Sequence, residues 1–212
     1  MTRTLALCTV LAAFAAAPAS AQSPAPGSFT VISPIFSQLV TFSMPSTFVA
    51  IGERTNGPSY IREAVLKGET AERWTQMITV TGAKGLVGNP KASPEAFAGS
   101  IVGGFKAACP ESFAAKGFGP TKLGDQDAYV AVASCGRIEG APEPHSESAL
   151  IITVKGTADY YTLQWAERTA PLAKPVIDDA KWQERLRTLQ PIRLCPIVPN
   201  ERAPYPSCVG KG

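Results

Sequence analysis

The sequence holds one histidine, His145, so any Ser-His or Cys-His nucleophilic mechanism has to run through that single side chain. No G-x-S-x-G elbow is present. Gly82, Gly85 and Gly88 match neither the P-loop spacing nor the Rossmann order, which leaves no phosphate cradle. No cysteine pair has C-x-x-C spacing, and this argues against a zinc site and a redox dithiol alike. Lys and Arg do not cluster. The densest basic stretch, Lys181 to Arg193, sits beside Asp178, Asp179 and Glu184 and reads as a solvated helix face. Nucleic acid and acidic membranes are therefore not expected partners. Beyond the N-terminus no segment is long and apolar enough to span a bilayer, and there is no internal repeat.

At the N-terminus, Arg3 precedes an apolar run from Leu5 to Ala17 and the small-residue site Ala19-Ser20-Ala21. This is the pattern of a secretory signal peptide cut after Ala21. The run falls short of the roughly 20 residues a membrane helix needs. Cys8 lies inside the run behind Leu7, which does not suit a lipid anchor. The formal charge of the whole chain is +3, and cleavage removes one of its 20 basic residues, Arg3, against 17 acidic ones. The expected product is a nearly neutral exported protein.

Four cysteines remain after cleavage: Cys109, Cys135, Cys195 and Cys208. An even number in an oxidising compartment favours two disulfides. Three pairings exist. The preferred one joins Cys109 to Cys135, tying a helix end to a strand, and Cys195 to Cys208, closing the tail on itself.

The clearest element is a hairpin. Ala149 to Lys155 places Leu150, Ile152 and Val154 on one face, and Tyr160 to Glu167 places Tyr161, Leu163 and Trp165 on the matching one. Its apolar face needs cover from other elements. Upstream, residues 38–44, 48–53, 60–66 and 74–81 read as strands, with a turn at Asn56-Gly57-Pro58. Ser93-Pro94-Glu95 starts a helix running to about Ala108, with Phe97, Ile101, Val102 and Phe105 as its apolar stripe. Gly117 to Pro120 reads as loop and Ala128 to Ile138 as strand. A second helix, Ile177 to Leu189, is capped by Asp178 or Asp179 and buries Trp182, Leu186 and Leu189.

This order predicts an α+β fold, an antiparallel sheet of about six or seven strands with two main helices packed on it. The expected organisation is a signal peptide over 1–21, a flexible mature N-terminus over 22–36, one domain over 37–190 and a proline-rich, disulfide-closed tail over 191–212.

Candidate site residues are few. His145 lies in a polar loop beside the hairpin and could act as a base or a pH-responsive contact. Asp125 and Asp127 lack the later glycine and glutamate of a calcium loop, so a turn is expected there and no metal. On the hairpin face opposite Leu163 lie Tyr160, Thr162 and Gln164. If the helices leave that face uncovered, these three line an exposed binding platform.

The dispersed motifs Tyr60-Ile61-Arg62-Glu63, Lys67-Gly68-Glu69-Thr70, Trp74-Thr75-Gln76-Met77, Cys135-Gly136 and Ile151 to Gly156 with Tyr160-Tyr161, then Trp182 and Cys195, carry a resemblance. Over residues 38–208 the chain resembles a group of uncharacterised exported proteins of Gram-negative bacteria. Its layout is similar to the Mog1/PsbP-like sandwich, which implies binding of other proteins or assistance to assemblies and brings no catalytic residues. The expectation is a periplasmic, non-catalytic binding or envelope-accessory protein with another envelope protein as partner and no cofactor. One alternative is a small hydrolase using His145 with Ser146 or Ser148. Another is a carrier with a dry apolar cavity between sheet and helix.

Overall fold

A computed structural model describes residues 27–138 and 143–209. Among these described residues ten strands and three α-helices follow the order β1 (Ser28–Ile35), β2 (Gln38–Pro45), β3 (Phe48–Asn56), β4 (Ser59–Leu66), β5 (Gln76–Ala83), α1 (Pro94–Ala108), β6 (Phe113–Leu123), β7 (Gln126–Ile138), β8 (His145–Lys155), β9 (Tyr160–Thr169), α2 (Asp179–Leu189), β10 (Arg193–Pro196) and α3 (Pro206–Val209). Seven strands form one antiparallel sheet in the order β3-β4-β5-β9-β8-β7-β6, and β1-β2-β10 form a second. The expected α+β architecture, with two main helices on an antiparallel sheet, is what the chain adopts.

The alternation read from the sequence sorts residues between layers. Leu150, Ile152, Val154, Tyr161, Leu163 and Trp165 turn to the face covered by the small sheet and α2, where they meet Val40, Phe42, Trp182 and Leu189 in the main core. The other face carries α1. There Ala98, Ala133, Ala149 and Ile151 are buried, with Ile101, Val102 and Phe105 packed against them. Small residues let the helix approach the sheet closely there. Ser93 Oγ caps α1 by accepting from the Ala96 N–H at 3.0 Å, and Asp178 Oδ1 caps α2 by accepting from the Lys181 N–H at 3.1 Å.

Three strands were not expected, and β8 starts at His145, which was expected in a loop, rather than at Ala149. Residues 22–36 contain β1, whose Val31 and Ile35 are buried on the core while Ser28 to Ile35 pair along β2. The interrupting Ser33 and Pro34 weaken the apolar alternation that would have marked it. Gly117 to Pro120 lies within β6 rather than a loop. A bulge between Gly117 and Gly119 absorbs the glycines, Gly119 taking φ +96°, and Pro120 is tolerated because β6 is an edge strand. In the tail, β10 pairs with β2 through four residues, too short to signal itself.

The disulfides join Cys109 to Cys135 and Cys195 to Cys208, as preferred. Each stabilises by about 3 kcal/mol on the loop-closure argument. The first ties the end of α1 to β7. The second holds the tail to β10, and so to the small sheet. Among the described residues no helix is long and apolar enough to cross a membrane. The expected signal peptide, over 1–21, lies outside the described residues.

The two sheets are clasped at Asp159, which is 2% exposed. Its carboxylate accepts from the Ser37 N–H at 3.0 Å, the Ser37 hydroxyl at 2.5 Å, the Gly85 N–H at 2.7 Å and the Tyr161 hydroxyl at 3.3 Å. The β1–β2 turn is thereby locked to the β8–β9 turn. Burial alone would raise this carboxyl, but the hydrogen bonds from Ser37, Gly85 and Tyr161 outweigh it and hold the group below the usual aspartate value. The Tyr161 hydroxyl, buried here, is pushed up to about 12.

Candidate functional site

α1 covers the β6-β7-β8 half of its sheet face and leaves the β4-β5-β9 side less shielded. At the end of the sheet where β4 stops, β5 starts, β8 starts and β9 stops, the loop 67–75 folds back on itself. The Arg73 carbonyl accepts from the Thr70 N–H at 3.0 Å, the Thr70 hydroxyl accepts from the Arg73 N–H at 3.2 Å, and Glu69 Oε1 accepts from the Thr75 hydroxyl at 2.6 Å. These local bonds use the side chains of Glu69, Thr70 and Thr75. They seat Trp74 over Val65 and Met77.

The Arg168 guanidinium lies 3.6 Å from the centre of the Trp74 ring, and its Nε donates to Glu147 Oε2 at 2.8 Å. Glu147 and Arg168 are directly opposed in the β8–β9 register, and the Arg168 N–H donates to the Thr75 carbonyl at 2.8 Å. His145, the first residue of β8, stands on the same strand face as Glu147. Its Nδ1 is 3.0 Å from the Glu143 carbonyl and its Nε2 is 3.7 Å from Glu147 Oε2. A carbonyl only accepts, so Nδ1 carries the proton and, in the neutral ring, Nε2 presents its lone pair.

These side chains wall a groove of about 860 Å³, lined among others by Glu69, Glu72, Arg73, Trp74, His145 and Arg168. A hollow of about 360 Å³ adjoins it, sharing Trp74 and Arg168 and reaching Glu63, Glu147 and Gln164. Among the described residues three buried side-chain polar atoms have no hydrogen-bond partner, and two of them, Glu69 Oε2 and His145 Nε2, belong to residues lining this groove. Such atoms cost stability and call for an explanation. Another hollow, of about 520 Å³, lies beside Cys109 under Pro171 and Leu172 and has no comparable group of unsatisfied atoms.

The expected platform is only partly present. Tyr160 and Thr162 are each 1% exposed. The Tyr160 hydroxyl donates to the Ala92 carbonyl at 3.1 Å and its ring meets Phe97 edge-on, because the start of α1 lies over this end of the hairpin. Thr162 shares a 2.7 Å hydrogen bond with Thr81. Gln164 is half-buried and borders the smaller hollow, and His145 lines the groove. Two of the four residues thus reach one open region.

The hydrolase arrangement is absent. Ser146 and Ser148 alternate to the face opposite His145, where Ser146 bonds Thr169 and Ser148 bonds Ser134, each at 2.6 Å. Neither hydroxyl contacts the imidazole.

Glu69, Glu147 and Arg168 were not read as site residues from the sequence, where Glu69 and Trp74 entered only as parts of motifs. A signal for two of them exists. The hairpin turn at residues 156–159 sets Lys155 opposite Tyr160, and counting outward places Glu147 opposite Arg168. Nothing local announces that the loop 67–75 joins them.

No protein-family model matches this chain, and no curated protein matches it in sequence. Among solved structures, it is similar to a point mutant of protein Mog1, with a TM-score of 0.42 and 7% identity over 77% of this chain and 86% of that one. The Saccharomyces cerevisiae Ran-binding protein Mog1p gives a TM-score of 0.41 at 7% identity over the same shares. A protein of Bacteroides thetaiotaomicron VPI-5482 gives 0.36 at 13% identity, covering 77% of this chain and 47% of that one.

Proposed function

We propose that this chain is a non-catalytic binding module of the periplasm, exported by its N-terminal signal, cut after Ala21, and serving an envelope protein as accessory. Its ligand surface is the groove between the loop 67–75 and the adjoining ends of β8 and β9. The observation that carries the reading is the pair of unsatisfied buried atoms, Glu69 Oε2 and His145 Nε2, on residues that line one open groove. The apolar run at Leu5 to Ala17 and the two disulfides support export. The separation of His145 from both neighbouring serines supports binding over hydrolysis.

The test is co-purification from a periplasmic extract with the mature, oxidised protein. A defined protein partner is expected, and its recovery should drop for Glu72→Ala and Glu143→Ala, which alter exposed groove residues without touching the core. Recovery unchanged by both variants would contradict the site. An ester-hydrolysing activity abolished by His145→Ala would overturn the non-catalytic reading.

A further inference from the structure

The groove selects the charge of its occupant. Arg168 already donates to Glu147, so its charge is engaged inside the wall. Of the remaining lining residues Glu69, Glu72 and Glu143 are acidic and Arg73 is basic, and this local excess of negative charge sits in a chain whose formal charge is +3. The unsatisfied atoms agree in kind. Glu69 Oε2 is an acceptor, and the contact of Nδ1 with the Glu143 carbonyl makes Nε2 of neutral His145 an acceptor as well. What both atoms lack is a donor. Arg168, over Trp74 at 3.6 Å and bonded to Glu147, shows that this region already holds one cation against a ring and a carboxylate.

Resting on the binding reading above, we propose that the occupant is a basic segment of a protein partner, which places an arginine or lysine side chain in the groove so that its N–H groups meet Glu69 and His145. An anionic segment would face three carboxylates and leave both acceptors unpaired. A neutral apolar segment would leave the same two atoms unsatisfied.

Because His145 is the only histidine, its ring C–H resonances form one unambiguous NMR probe of the groove. A capped peptide of alternating glycine and arginine is titrated into the mature, oxidised protein, beside a glycine–glutamate peptide and spermidine. The arginine peptide should move the imidazole signal saturably, and added salt should weaken it. Glu69→Gln should weaken binding about ten-fold, the loss expected for one charge-assisted contact. Glu95→Gln, on the exposed first turn of α1, should leave it unchanged.

An unmoved imidazole signal, equal binding of the glutamate peptide, or indifference to Glu69→Gln would overturn the proposal. Spermidine binding tighter than the peptide would assign the groove to small polycations instead, and that also overturns it. If co-purification yields a partner dependent on Glu72 and Glu143 while the arginine peptide fails, the ligand class is wrong and the binding reading stands.

Discussion

Trp165→Ala should lower the unfolding free energy by about 3–5 kcal/mol, the loss expected when a large ring leaves a core that cannot collapse around the gap. Trp165 is 2% exposed and lies across the middle of the main core. Its ring meets Phe48 edge-on at 5.3 Å, its Nε1 donates to Gln76 at 3.0 Å, and Arg185 of α2 lies over it at 4.6 Å. The residue therefore joins β3, β5, β9 and α2. Arg185 is itself held by Glu167, which accepts from it and from Lys181 at 2.8 Å each. Urea unfolding followed by circular dichroism measures the change. A loss below about 1 kcal/mol would mean the site repacks, contrary to the core geometry described.

Asp159→Ala should cost about 3 kcal/mol, because it leaves two backbone N–H groups and the Ser37 hydroxyl of a buried clasp without their acceptor, while the Tyr161 hydroxyl keeps the Ile35 carbonyl at 3.2 Å. The pH dependence gives a second readout. The folded-state pKa of Asp159 is lowered, so its ionised form contributes stability that is fully present above the unfolded value, about 3.9. That contribution is lost as pH falls through the folded value. The stability difference between the native chain and Asp159→Asn should accordingly be flat above about pH 5 and shrink below about pH 4. Unfolding midpoints across that range test it. A difference that grows on acidification would have the wrong sign for a carboxylate clasp.

Much of the layered fold was legible because each side chain's face follows from a period. The alternation Leu150-Ile152-Val154 and the stripe Phe97-Ile101-Phe105 both name core-facing residues, and the structure buries or packs them as expected. The first helix start was legible from Ser93, and the second to within the pair Asp178 and Asp179, of which Asp178 is the cap. The cysteine pairing was legible from parity and from the helix–strand contact it would tie. The elements missed are those whose identity is conferred by a neighbour. β1 and β10 exist because β2 offers an edge on each side, and β6 keeps its pairing only through a bulge. The groove was illegible for a related reason. His145, Gln164, Trp74 and Arg168 come from three separate segments, and only the crossing of β5 beside β9 brings the loop 67–75 onto the hairpin's end. The exposed platform failed because period alone cannot say how far α1 extends over Tyr160.

The central claim is that this end of the sheet is where a partner docks, and site-specific crosslinking tests it most directly. A photoreactive residue is placed at Glu72, exposed on the groove, and separately at Lys122, exposed on the β6–β7 hairpin away from it. Each protein is irradiated in the cells that produce it. The account predicts one discrete protein adduct from position 72 and none from position 122. Equal adducts from both positions, or an adduct from position 122 alone, would contradict it.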